Sequence, residues 1–173
     1  MIMECRVNKP YPKIEVEEEN IVYANILLED YAGVVSELSA IHQYIYQKFE
    51  KFNEKEEFAK TLSSIAMVEM KHLELLGETI KLLGVDPKFK YADKTNYLNY
   101  WNSSFVNYNT DIIAMLKDDI KIEEEAIQSY KCHIRIIDDK YVKQLLYRIV
   151  EDEEKHIECF KTLLYKAIYN LNN

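Results

Sequence analysis

The chain is poor in the residues that break helices. Only 3 of its 173 residues are glycine and 3 are proline, and two of the prolines, Pro10 and Pro12, fall near the N-terminus. A sheet-rich fold with many tight turns needs more of both, so long uninterrupted helices are expected. Cysteine is scarce too: Cys5, Cys132 and Cys159 are far apart, odd in number and form no Cys-x-x-Cys. That pattern argues against a zinc knuckle, a rubredoxin-type iron centre or a disulfide framework. There is no basic excess. The formal net charge is -8, and no basic stripe interrupts it, so nucleic acid and anionic membrane surfaces are not expected partners. No apolar run is long enough for a membrane span or a signal peptide, which makes a reducing cytoplasm the expected location.

What is present is a helical periodicity. At this length, with 48% apolar residues, one domain with a good core is expected. Residues 1–19, with their prolines and the run Glu17-Glu18-Glu19, read as an extended or mobile arm. Residues 20–170 read as an all-α, antiparallel four-helix bundle. Ile21, Leu28, Tyr31, Val34, Val35, Leu38, Ile41 and Ile45 recur at three- and four-residue steps, predicting one helix from about Asn20 to Phe52. Asn53 and Glu56 resemble a capping box opening a second helix, which Gly84 stops and Pro87 follows. Residues 85–109 have no clear period, and a connection that long fits the crossover between helices two and three of such a bundle. Its aromatic residues, Tyr97, Tyr100, Trp101 and Phe105, are expected on the outside of the bundle. The third helix is predicted from Thr110 or Asp111 to about Ile137, and the fourth from Asp138-Asp139 to about Tyr169.

Two copies of one pattern carry the chemistry. Residues 69–72 read Glu-Met-Lys-His and residues 153–156 read Glu-Glu-Lys-His. Each Glu-x-x-His follows a lone glutamate on an earlier helix: Glu37 is 32 residues before Glu69, and Glu123 is 30 before Glu153. Each lone glutamate is followed seven residues later by a tyrosine, Tyr44 or Tyr130. With 21 Glu and 4 His in the chain, chance supplies roughly half of one such motif, so a matched pair is not accidental. Residues three apart share a helix face, and the apolar neighbours turn these faces inward. Four buried carboxylates need positive charge, and two divalent cations balance them. Oxygen and imidazole donors suit iron, manganese or zinc. Glu69 and Glu153 are expected to bridge the two ions. Glu37 and Glu123 would each cap one, and His72 and His156 would each bind one. Tyr44 and Tyr130 are placed to hydrogen-bond ligands or carry a transient radical. Asp152 and Asp119 are candidates to orient a ligand histidine; His42 and His133 lack the preceding glutamate.

With the segments Ser-Glu37-Leu-Ser-Ala-Ile-His-Gln-Tyr44, Glu69-Met-Lys-His72, Met115-Leu-Lys-Asp-Asp-Ile-Lys-Ile-Glu123 and Glu151-Asp-Glu153-Glu-Lys-His156-Ile, the chain resembles the ferritin-like superfamily of di-metal carboxylate proteins, of bacterioferritin and rubrerythrin type, over about residues 20–168. All six ligand positions match. The resemblance implies two iron ions per chain, with manganese accepting the same ligands, and reaction with hydrogen peroxide or dioxygen. It also sets Met70 at the place where bacterioferritins supply a haem ligand, although a methionine on a helix is more often packing material. The cysteine-rich module usual in rubrerythrins is missing, so a di-iron oxidoreductase would need a separate electron-donor protein. The short fifth helix usual in bacterioferritins has no room after Tyr165, which counts against an iron-storing ferroxidase cage. Peroxide disproportionation of the manganese catalase kind is a further alternative, and a site kept only as a staple of the fold is another. A homodimer is expected, through the aromatic residues Tyr23, Tyr46, Phe49, Phe52 and Phe58 on the first two helices.

Overall fold

A computed structural model describes residues 4–52, 55–92 and 98–171 of the chain, with side chains to residue 169. The described helices are α1 (Ile21–Ala32), α2 (Glu37–Glu50), α3 (Glu56–Leu82), α4 (Ile112–Ile136) and α5 (Lys140–Leu171). They form a four-helix bundle in which α1 and α2 together make the first arm. The long connection from α3 to α4 is the expected crossover. It holds a small antiparallel hairpin, β1 (Lys90–Ala92) against β2 (Leu98–Tyr100), and one 3-10 turn at Ser103–Phe105. Among the described residues no helix is long and apolar enough to cross a membrane.

The first arm is not the continuous helix its periodicity predicts. It breaks at Gly33–Ser36. Gly33 lies so close to the preceding turn that a Cβ there would meet the Glu29 carbonyl oxygen at 2.5 Å. Ser36 then caps a new helix: its Oγ accepts from Ser39 N at 3.3 Å and donates to Gly33 O at 2.8 Å. Trp101 clamps the break from the crossover by donating from Nε1 to Ser39 Oγ at 3.0 Å. Periodicity missed the break because apolar spacing carries through it, while the serine cap lies inside the pattern.

The other helix ends follow local chemistry more closely. Gly84, at φ 95°, ends α3. Val85 N reaches Ile80 O and Gly84 N reaches Lys81 O, the left-handed stop expected of glycine. Asp111 caps α4 by accepting from Ala114 N, and Asp139 caps α5 by accepting from Tyr141 N and Val142 N. Asn53, the expected cap of α3, lies outside the described residues, and Lys55 before that helix makes no side-chain cap. Tyr97 also lies outside them. Tyr100 is exposed, whereas Trp101 packs against the core.

Two expectations need correction, the outward Phe58 and the argument against disulfides. Phe58 is buried with Leu62, Ile65 and Phe160 rather than outward, because it falls on the inner face of the first turn of α3. Phe49 and Phe52 are exposed as expected. The arm is extended but firmly packed: Cys5 is buried and forms a disulfide with Cys159 on α5, 154 residues away. Spacing gave no sign of this bond, since it joins the arm to the far end of the chain through tertiary packing.

The core falls into two apolar clusters. One gathers α1 with Leu76, Ile80, Tyr130, Leu146 and Ile149; the other gathers Tyr44, Leu62, Ile65, Met115, Leu116 and Phe160. Between them lies a polar layer.

Candidate metal centre

Four helices each send ligand-type side chains into that layer. The break before α2 makes Glu37 its first residue, where the helix dipole favours a carboxylate. Glu69 and His72 come from α3, Glu123 from α4, and Glu153 and His156 from α5. All six are at most 4% exposed. Their donor atoms fall into two overlapping groups, each within 4.8 Å: Glu37, Glu69, His72 and Glu153, and Glu69, Glu123, Glu153 and His156. Glu69 and Glu153 belong to both groups. His72 Nδ1 lies 2.9 Å from Glu69 Oε2 and 3.0 Å from Glu153 Oε1. His156 Nδ1 lies 3.0 Å from Glu69 Oε1 and 3.3 Å from Glu153 Oε2. The structure thus brings together all six residues singled out from the sequence.

Electrostatics show what this arrangement demands. Burial, then the neighbouring charge of Glu69, pushes the Glu37 carboxyl well up. Burial, then Glu153 and Glu69, does the same to Glu123. Burial also opposes ionisation of Glu69 and Glu153, but hydrogen bonding and the two imidazoles outweigh it and hold both below the usual range. Burial should neutralise His72 and His156, yet the surrounding carboxylates raise both well above the ordinary imidazole value. The cluster is therefore poised for cations: the carboxylates raise both imidazoles, and burial with mutual repulsion raises two of the four carboxyls. Among the described residues, no lysine or arginine pairs with any of the four glutamates. Glu69 Oε1 and Glu153 Oε1 are buried without a hydrogen-bond partner, although an imidazole nitrogen lies near each. Four buried carboxylates gathered with two imidazoles fit two divalent ions, and the oxygen and imidazole set suits manganese or iron.

The two tyrosines complete the repeat by crossing over. Tyr44 Oη donates to Glu123 at 2.5 Å, and Tyr130 Oη donates to Glu37. Burial, then those carboxylates, raises both phenols well above their usual value, so both stay protonated donors.

Comparison with known proteins follows this geometry. Residues 11–100 match the family model described as manganese containing catalase. The chain is 30% identical to a probable manganese catalase of Clostridium acetobutylicum, over 90% of this chain and 76% of the relative. The chain belongs to the manganese catalase family. That family lies within the ferritin-like superfamily. The crystal structure of KatB, a manganese catalase from Anabaena, superposes with a TM-score of 0.82 at 28% identity, covering 94% of this chain and 80% of that one. A bacterioferritin of Desulfovibrio desulfuricans is 26% identical over 73% of this chain and 67% of its own length.

In this manganese catalase family member, Asp152 and two residues that the sequence pattern did not single out brace one side of the site. Asp152 Oδ2 lies 3.2 Å from His72 Nε2, accepts from Tyr11 Oη at 2.6 Å, and shares its side chain with Val7 N and Arg148 Nη1. These partners outweigh burial and keep Asp152 ionised far below the usual carboxylate range. Tyr11 stands edge-on to the His72 ring, with centroids 5.9 Å apart, and Arg148 lies over the Tyr11 ring. Burial is the main cause that pushes the Tyr11 phenol up to about 12. Asp152 was expected as an orienting group; Tyr11 and Arg148 were not, because the arm has no periodicity to place them. Asp119 does not reach a histidine. It is held by Gln43 and Gln47, each at 2.8 Å, and burial raises it to about 7. His133 pairs with Asp30, and His42 lies against Trp101. Met70 is 45% exposed on α3.

Proposed function

We propose that this chain disproportionates hydrogen peroxide at a pair of manganese ions held by Glu37, Glu69, His72, Glu123, Glu153 and His156. The observation that carries the reading is the doubled donor set within a chain of manganese catalase ancestry. Two peroxide molecules give one dioxygen and two waters, so one peroxide is the reductant and the other the oxidant. No separate electron-donor protein is then required, which revises the partner expected from sequence. When bound, the metal pair would supply a two-electron couple and Lewis acidity. The chain's own residues would do the rest. Glu69 and Glu153, which belong to both donor groups, would serve both ions, and Glu37 and Glu123 would each serve one. Tyr44 and Tyr130 hold Glu123 and Glu37 in place by donating hydrogen bonds. Asp152 fixes the His72 ring through Nε2, leaving Nδ1 toward Glu69 and Glu153, where it would serve as a ligand.

The test is oxygen evolution from hydrogen peroxide by manganese-loaded protein with no added reductant. Steady evolution of half a mole of dioxygen per mole of peroxide supports the reading. Consumption of peroxide only when a reductant is supplied overturns it. That second result favours a di-iron oxidase or ferroxidase, the reading to which the bacterioferritin likeness gives weight. A cytoplasmic location belongs to the same proposal, and the Cys5–Cys159 disulfide weighs against it, since such bonds are rare in a reducing cytosol.

A further inference from the structure

The metal centre needs a way in for its substrate, and the break in the first arm supplies the geometry. Behind Val35 lies a cavity of about 10 Å³, about one water's worth of space, walled by Glu37, Glu69, Glu123 and Glu153 themselves. In front of Val35 lies a surface depression of about 400 Å³, lined by Glu29, Tyr91, Glu125 and Ser129 among others. Val35 borders both. The two spaces are also back to back beside it, because Asp30 of the inner one accepts from Ser129 Oγ of the outer one at 2.9 Å.

We propose that Val35 is the gate residue through which hydrogen peroxide passes to the carboxylate cluster, and that its side chain sets the size limit. The inference rests on the peroxide chemistry proposed above. A continuous helix would wall off this side with its own backbone. Here the chain leaves the helix at Gly33, so that Val34 turns outward, 51% exposed, and Val35 stands half-buried between surface and site. Across from it α4 offers Ile122 and the small Ala126, both half-buried. Among the described residues Val35 is thus the one side chain that lines both spaces, with Ile122 and Ala126 beside it on the inner side and the Asp30–Ser129 hydrogen bond next to it. Glu29 and Glu125 on the rim are exposed and disfavour anions, while a neutral peroxide meets no charge barrier.

The experiment compares Val35→Phe and Val35→Ala with the parent, all loaded with manganese. The probe is azide, and its association rate with the metal centre is followed by visible absorption. Turnover of hydrogen peroxide, and the single oxidation of the reduced Mn(II) pair by tert-butyl hydroperoxide, which gives tert-butanol and water, are measured alongside. Val35→Phe should slow azide about tenfold or more while keeping both ions and the parent's melting temperature. Val35→Ala should speed azide binding and admit tert-butyl hydroperoxide, which the parent excludes. Parent-like azide rates in a folded, fully loaded Val35→Phe protein would overturn the gate. If that variant loses metal or does not fold, Val35→Ala decides alone, and no gain in either readout overturns the gate. Azide rates that follow residue 35 in a parent without catalase turnover would uphold the gate and defeat the peroxide reading instead.

Discussion

The two halves of the metal centre have nearly the same sequence and different surroundings. Glu37, His72 and Tyr130 make one half; Glu123, His156 and Tyr44 make the other. On the first side, His72 is tied through Nε2 to Asp152, and Asp152 is tied in turn to Tyr11, Val7 and Arg148. On the second, His156 Nε2 is buried with no hydrogen-bond partner among the described residues. The position that repeats Asp152, one residue before the Glu-x-x-His, is Val68. Helix α4 runs unbroken through Glu123, while the first arm breaks immediately before Glu37. The candidate ligands thus follow a repeat, and the difference between the two halves comes from what packs outside it: the N-terminal arm on one flank and the helix break on the other.

The largest effect should come from the residues that the halves share. Glu69→Ala or Glu153→Ala should each lower metal content from about two ions per chain to near zero, since both carboxylates serve both ions. Elemental analysis checks this. Retention of one tight ion in either variant would show that the halves are independent sites.

Metal removal comes next, and its sign depends on pH. The carboxyls of Glu37 and Glu123 and the imidazoles of His72 and His156 are all raised in the metal-free fold. A raised group stabilises the fold fully below its unfolded value and loses that contribution as pH climbs through its folded value. Metal-free protein should therefore melt at progressively lower temperature as pH rises above 4.5, where the two raised carboxyls begin to lose their contribution, and more steeply above about 6.5, the ordinary imidazole value. Metal binding displaces protons from these groups, so the loaded protein should resist that loss. At about a thousandfold excess over Kd the gain is about 4 kcal/mol, or about 8–16 °C at this chain length. Calorimetry with and without chelator across that range checks both sign and size.

Asp152→Asn isolates the asymmetry. An outer partner of a metal-bound histidine typically contributes about 10- to 100-fold in affinity, so one ion should weaken by that factor while the other is little changed. Equal weakening of both ions in a calorimetric titration would mean that the brace acts on the whole cluster. The smallest difference is expected between Tyr44→Phe and Tyr130→Phe. Each removes one hydrogen bond to a carboxylate, about 1.5–3 kcal/mol, and the two should be alike because that contact is the same on both sides. Unequal losses in thermal stability would extend the asymmetry inward to the tyrosines.

The ligand pattern was readable in the sequence because helical spacing converts position directly into direction: Glu69 with His72 and Glu153 with His156 needed only the turn of a helix. The bundle was readable for the same reason, as were the stop at Gly84 and the start of α4 near Asp111. Contacts between segments with no period were not. Nothing in the spacing of Pro10-Tyr11-Pro12 says that Tyr11 will lie on His72, or that Cys5 will meet Cys159. The break at Gly33–Ser36 was hidden because Val34, Val35 and Leu38 continue the apolar pattern across it, and the serine cap and close glycine approach leave no mark in hydrophobic periodicity.

The central claim is that one duplicated pattern holds two ions in a single bridged centre. Electron paramagnetic resonance of the wild-type chain, titrated with manganese, tests it most directly. The expected result is saturation at about two ions per chain with the spectrum of a magnetically coupled pair. Saturation at one ion, or two ions with the spectrum of isolated Mn(II), would contradict it.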